Sequence, residues 1–214
     1  MIEVFIGAFI PLFVIIDPIG LTPIVMGMTM GLATGQVVRM VLKAGIVAAV
    51  ILLIFGLFGD EVLNAFGIGL PAFRIAGGIL LFITALEMLF SKRRPRQNKT
   101  AEKIEAELES RDISVFPLAL PLIAGPGALT KIMLLTSREE NGWLEVGIAL
   151  LAMVCVIIIT VVVLSASRFL NRIMGETLPD ILTRVLGLVL ASLAVQYVAD
   201  GTLDILRPLF TSGA

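Results

Sequence analysis

The stretch DPIGLTPI at residues 17–24 decides how this chain folds, because it recurs as GPGALTKI at 125–132. Pro18 matches Pro126, Leu21 matches Leu129, Thr22 matches Thr130 and Ile24 matches Ile132. The same offset pairs Gly67 with Gly175, Leu70 with Leu178 and Pro71 with Pro179. A two-residue shift then pairs Arg74 with Arg184, Gly77 with Gly187 and Leu80 with Leu190. A colinear series of this length marks two related units, 1–91 and 113–214, joined by a polar stretch, 92–112. Both copies of the opening motif put proline and glycine inside long apolar runs. Proline removes a backbone donor and glycine loosens the helix, so each copy predicts a break that frees N–H and C=O groups.

The surroundings of these motifs are those of a membrane protein. Of 214 residues, 58% are hydrophobic before the 20 glycines are counted, 15% are charged, and the mean hydropathy is +1.04. A soluble domain is roughly 45–50% apolar with glycine included, and roughly 25% charged. Disorder, nucleic-acid binding and a typical soluble enzyme are excluded, and the lipid bilayer is the expected partner. The net charge is −1. The chain has no histidine, which removes Ser-His catalysis, HExxH zinc sites and histidine-ligated haem. Cys155 stands alone, so no intrachain disulfide forms and thiol redox chemistry lacks a second cysteine. No cofactor and no metal site are expected. Trp143 and Tyr197, one of each type, are too few to mark aromatic belts.

Charge-free runs at 44–59, 75–86, 113–130, 146–167 and 185–199 predict five crossings. The run 4–38 has one charge, Asp17, and as a single helix would reach about 52 Å, against a hydrocarbon core of about 30 Å. It carries Pro11, Pro18, Gly20 and Pro23, so a bent or partly re-entrant first segment is expected. Because its start lacks a basic flank, it reads as a retained span and not a signal peptide. The expected fold is all-α, with six transmembrane helices in two repeats of three, the first helix of each repeat broken. An odd number of crossings per unit makes the second repeat inverted, an architecture of secondary transporters. Twelve basic residues flank connections 1–2, 3–4 and 5–6, among them Arg39, Lys43, Arg168 and Arg172, against Arg74, Arg138 and Arg207 on the other side. The positive-inside rule then puts the 92–112 loop in the cytoplasm and both termini in the periplasm. KRRPR at 92–96 reads as a topology determinant in preference to a nucleic-acid patch, and TAEKIEAELES at 100–110 as a short surface helix.

At four motifs the chain resembles the MarC family of bacterial inner-membrane proteins: IDPIGLTPI (16–24), FRIAGGILL (73–81), FPLALPLIAGPGALT (116–130) and LTRVLGLVLASLAVQ (182–196). With their spacing, these cover essentially the whole chain. The resemblance implies six spans in a 3+3 inverted arrangement. It also implies kinship with transporters, in particular exporters, of small neutral amino acids. The family's name refers to antibiotic resistance, which does not by itself imply a drug substrate. The family's first motif accepts Asp or Asn where Asp17 stands. Lys131 is not part of its second motif, so a role there is particular to this chain.

The candidate substrate-binding residues are Asp17, Pro18, Gly20, Thr22, Gly125, Pro126, Gly127, Thr130 and Lys131. A buried carboxylate must be paired, neutral or wetted, so Asp17 can hold a substrate ammonium or carry a proton. Its plainer role is to cap a helix starting at Pro18, since Asp at the N-cap and Pro at N1 are a favoured pair. Lys131 can pair with Asp17, bind a substrate carboxylate, or snorkel towards Ser137. Thr22 and Thr130 can offer hydroxyls to a ligand or bond back to helix carbonyls. Gly125 and Gly127 shape the second break or serve as close-packing sites. Arg74 and Arg184 read as interfacial anchors in preference to gating ion pairs.

Glycine and alanine are the expected substrates, moved by alternating access between discontinuous helices 1 and 4. A proton or Na⁺ is the candidate coupling ion. Monomer and homodimer are equally compatible with the sequence. Drug or metabolite efflux through the same architecture is the first alternative, and a proton or ion channel the second. A membrane-embedded enzyme is disfavoured, because aspartyl proteolysis needs two deep carboxylates and only Asp17 lies deep.

Overall fold

The structure, a computed structural model, describes residues 1–29, 31–90, 114–137, 142–174 and 177–211. Among these the chain is helical and contains no strand. The elements are α1 (Ile2–Ile16), α2 (Pro18–Met28), α3 (Thr34–Ala65), α4 (Leu70–Leu89), α5 (Ser114–Ile123, wound in the wide π form), α6 (Pro126–Thr136), α7 (Trp143–Ser165), α8 (Ser167–Met174) and α9 (Thr177–Thr211). The expected cytoplasmic loop, the 100–110 surface helix and Arg138 lie outside the described residues.

Five helical segments are long and apolar enough to cross a bilayer: Ile2–Met28, Thr34–Ala65, Leu70–Leu89, Trp143–Ser165 and Leu178–Arg207. The sixth expected crossing is in two pieces, α5 and α6, neither of which spans alone. Large apolar side chains such as Ile46, Ile54, Leu151, Ile158 and Val185 face outward, as lipid-facing residues do, while the main core draws buried side chains from α1–α7 and from α9.

The 4–38 run differs from expectation in where it divides. Pro11 and Pro23 stay inside helices; only Asp17–Pro18 interrupts the first segment, and residues from Thr34 onward already belong to α3. The turn between them uses Gly31 at φ 83°. The segment is bent, not re-entrant. Ala8 near its start packs on Ala149 and Ala152 of α7. At its far end the Thr29 and Leu32 carbonyls accept bonds of 2.9 and 2.6 Å from Arg168 Nη2, just beyond the other end of α7. It therefore runs the full length of α7, in the same direction.

The other helices alternate. Gly45 of α3 lies against Val161 and Gly56 against Leu150, so α3 opposes α7. The α3–α4 turn is a Schellman motif: Gly67 at φ 67° donates to Asn64, and Ile68 donates to Leu63 at 2.9 Å. Helices α4 and α9 are antiparallel and meet backbone to backbone. A Cβ built on Gly201 would stand 2.7 Å from the Pro71 carbonyl, one on Gly78 2.9 Å from the Ala194 carbonyl, and one on Gly187 3.3 Å from the Ala85 carbonyl. This seam is the small-residue contact that membrane helices use where no hydrophobic force drives them together. It joins the two sequence units along most of the length of α4.

Candidate functional site

Asp17 ends one helix and begins the next. It sits at φ 50°, ψ 65°, a left-handed conformation that Asp adopts more readily than most side chains. Its N–H still closes α1 onto the Phe13 carbonyl at 2.9 Å, and its carbonyl already accepts from Leu21 at 3.1 Å to open α2. Pro18 has no N–H to offer the Val14 carbonyl. The Gly20 N–H turns to Asp17 Oδ1 at 3.0 Å. The side chain is fully buried, and Asp17 Oδ2 accepts a 3.2 Å bond from Thr183 Oγ1 on α9. The capping role read from the sequence is thus met.

The second break is built differently. The winding of α5 is sealed by an i→i+5 bond from the Ala124 N–H to the Ala119 carbonyl. Gly125 then takes an extended φ of −74° and ψ of 169°, and Pro126 starts α6 as Pro18 starts α2. No side chain caps α6. The Leu129 N–H is tied to the Gly125 carbonyl, whereas the N–H groups of Gly127 and Ala128 have no carbonyl one turn back within α6. One break thus carries its own carboxylate. The other presents a helix N-terminus with glycine at the cap, the end of the dipole that favours an anion.

The two breaks touch. A Cβ on Gly127 would stand 3.2 Å from Ile15 Cγ2, two residues before Asp17, and 2.7 Å from Leu81 Cδ2 of α4. Pro18, Gly127 and Ala128 are buried, while Gly125 is half-buried and Pro126 exposed. Thr22 Oγ1 donates to the Ile19 carbonyl at 2.7 Å, the back-bonded alternative. Thr130 is 4% exposed and packs so closely on Gly77 of α4 that any side chain there would collide with Thr130 Cγ2.

Lys131 neither snorkels nor pairs with Asp17. It is 8% exposed; its Nζ donates to the Tyr197 hydroxyl and stands 5.0 Å from the centre of that ring, a cation–π position. Tyr197 and Thr183, the partners of Lys131 and Asp17, lie fourteen residues apart on α9, about 21 Å of helix. That separation exceeds the combined reach of the side chains, which rules out a direct Lys131–Asp17 ion pair. Arg74, expected as an anchor, also bonds across the seam: Nη1 meets Asp204 Oδ2 at 2.8 Å. Thr183, Tyr197 and Asp204 escape sequence reasoning because the repeat does not mark them. In its register Thr183 falls opposite Phe73, and Tyr197 opposite Glu87.

Residues 2–206 match a family described as MarC family integral membrane protein. The chain is 38% identical over 202 residues to a UPF0056 membrane protein of Methanocaldococcus jannaschii, covering 94% of this chain and 87% of that one. It is 35% identical over 207 residues to a UPF0056 membrane protein of Aquifex aeolicus, covering 95% and 94%. It is 33% identical over 212 residues to the UPF0056 membrane protein YvbG of Bacillus subtilis, covering 99% and 100%. No solved structure matches it. With its apolar spans and its paired helix breaks, the chain belongs to the MarC family of integral membrane proteins.

Proposed function

We propose that the protein is a secondary transporter, working as an exporter, of small neutral amino acids such as glycine and alanine. The observation that carries this reading is the pair of adjoining helix breaks with complementary ends. A buried carboxylate at Asp17 suits the ammonium of a zwitterion. The N-terminus of α6, without a side-chain cap, suits its carboxylate. Small side chains fit because the space beside Gly20 is already taken by Asp17 and Thr183, and that beside Gly127 by Leu81 and Ile15.

In this reading α1–α2, α3 and α4 form one repeat of three crossings, and α5–α6, α7 and α9 form the inverted second one. The even total puts both termini on one face. The basic connections assign that face to the periplasm of a bacterial inner membrane. The α4–α9 seam links the repeats, so alternating access divides the α4–α9 pair from the remaining helices in preference to splitting one repeat from the other.

The test is reconstitution. Protein in liposomes should take up labelled glycine or alanine by counterflow and under an imposed proton or Na⁺ gradient, which also identifies the coupling ion. Saturable counterflow separates a carrier from a channel. Absence of flux with every neutral amino acid under all three regimes removes this function.

A further inference from the structure

The outward faces of the spans are not alike. At mid-span α3 turns Ile46, Val50 and Ile54 outward, and α7 turns Leu151 and Ile158. Helix α9, the least buried of the five spans, exposes Ser192 and Gln196 within its charge-free run 185–199. Gln196 stands about 6 Å of helix from the middle of that run, well inside a hydrocarbon half-thickness of about 15 Å. The Ser192 hydroxyl is satisfied by its own helix, through the 3.1 Å bond to the Leu188 carbonyl. The Gln196 amide is satisfied only in part. Its Nε2 gives one N–H to Asp200 Oδ1 at 2.7 Å, which leaves the second N–H and Oε1 with no partner among the described residues. In hydrocarbon an unmet amide is costly, so this face calls for a polar partner within the membrane.

The spacing along α9 identifies that partner. The residues that meet α4 recur at every seventh position: Gly187, Ala194 and Gly201. Gln196 lies about 160° round the helix from Ala194, and the same repeat runs there. Val189, Gln196 and Leu203 alternate with Val185, Ser192 and Ala199, and all six are exposed. Steps of three and four residues in alternation are the seam of a left-handed helix pair, and the small Ser192 and Ala199 let two backbones approach closely. Copies of one chain enter the membrane in one orientation. A two-fold axis along the membrane normal therefore pairs α9 with α9 in parallel and sets each seam residue against its own copy. An amide is self-complementary: the free N–H of each Gln196 meets the Oε1 of the other, so symmetry alone supplies both missing bonds. One polar residue in an otherwise apolar seam also fixes the register of the pair. We propose that the protein forms a homodimer through the outward face of α9, held in register by a reciprocal hydrogen bond between the two copies of Gln196, with Asp200 orienting each amide. The dimer leaves α4 and α9 of each copy at its centre and the broken segments outside.

The experiment uses the full chain in liposomes at a high ratio of lipid to protein, where chance collisions are rare. In a Cys155→Ser background, single cysteines are placed on the seam by Ser192→Cys and Ala199→Cys, and on other outward faces by Ile46→Cys and Ile158→Cys. On oxidation with copper phenanthroline, the two seam variants should give disulfide-linked dimers under conditions in which the two controls stay monomeric. The second readout is the dissociation constant of the dimer, from energy transfer between labelled copies as lipid is added. Gln196→Leu should raise that constant about tenfold, the effect of losing two hydrogen bonds between membrane helices. Gln196→Asn, which keeps a donor and an acceptor, should hold most of the wild-type affinity. Crosslinking at 192 and 199 no faster than at 46 and 158, or fastest at a control position, overturns the proposal. So does a folded Gln196→Leu protein that dimerises as tightly as wild type. If Gln196→Leu does not fold, the crosslinking decides alone. Neither readout depends on what the protein transports.

Discussion

Asp17 and Gly20 share one small volume: the Gly20 N–H donates to Asp17 Oδ1 at 3.0 Å, and Asp17 Oδ2 fills the space where a Gly20 side chain would begin. The same space is bounded by Thr183 Oγ1, 2.6 Å from the Cβ position. Gly20→Ala must therefore push the carboxylate away from the Gly20 N–H and Thr183 Oγ1. Overpacking of this kind costs about 1–3 kcal/mol. The expected outcome is a lower Tm in detergent together with loss of glycine and alanine flux. A variant with unchanged Tm and flux would show that the carboxylate is not held over this residue.

Capping and binding by Asp17 can be separated by two substitutions. Asparagine tolerates the left-handed conformation and caps as well as aspartate, so Asp17→Asn should keep its Tm close to wild type. Alanine does neither: loss of the cap costs about 1 kcal/mol, and the left-handed backbone about 1–2 kcal/mol more. If the negative charge receives the substrate ammonium, Asp17→Asn should lose the Tm increase that glycine or alanine gives wild type in a thermal-shift assay. Equal ligand-induced shifts in the two proteins would confine Asp17 to capping.

Thr130 and Gly77 form a second tight contact, this one between α6 and α4. Gly77→Ala alone should lower Tm, since the added methyl collides with Thr130 Cγ2. Thr130→Ser removes that methyl. In the double variant part of the loss should return, with a coupling energy of about 0.5–3 kcal/mol in a double-mutant cycle. Strict additivity would mean that the collision is relieved elsewhere.

The α4–α9 seam predicts which parts of the protein can be tied together without harm. A Cβ on Gly187 would lie 2.9 Å from Met88 Cβ, and a disulfide needs about 3.5–4.5 Å between its Cβ atoms. Met88→Cys with Gly187→Cys, in a Cys155→Ser background, should therefore crosslink after a sub-ångström separation of the helices. Transport should persist in the oxidised protein if α4 and α9 move as one body. Flux that stops on oxidation and returns with a reductant would instead divide the molecule at this seam.

The breaks were legible in the sequence because their cause is local. Pro18 and Pro126 remove a backbone donor wherever they stand, and each opens a helix at its N1 position. Bending in place of re-entry was not legible, because it depends on the packing of α1 and α2 along α7. Asp17 was recognisable as both a cap and a buried charge. The fate of Lys131 was not: burial against Tyr197 requires α9 to pass beside α6, and no spacing in the chain encodes that approach. Thr183 was hidden for a related reason. Serine and threonine in membrane helices usually bond their own carbonyls, as Ser192 and Thr202 do, and only the neighbouring carboxylate distinguishes Thr183.

A joint of one residue connects α1 to α2. An insertion or deletion there would turn every side chain of α2 through about 100° relative to α1. Thr22, Ile24 and Val25, now buried, would swing out of the protein interior, and the Thr29 carbonyl would leave the reach of Arg168. Apart from Asp17 and Gly20, side chains around this joint can be exchanged one at a time; its length cannot. Substitutions between residues 14 and 22, other than at Asp17 and Gly20, should therefore be far better tolerated than any change in residue number.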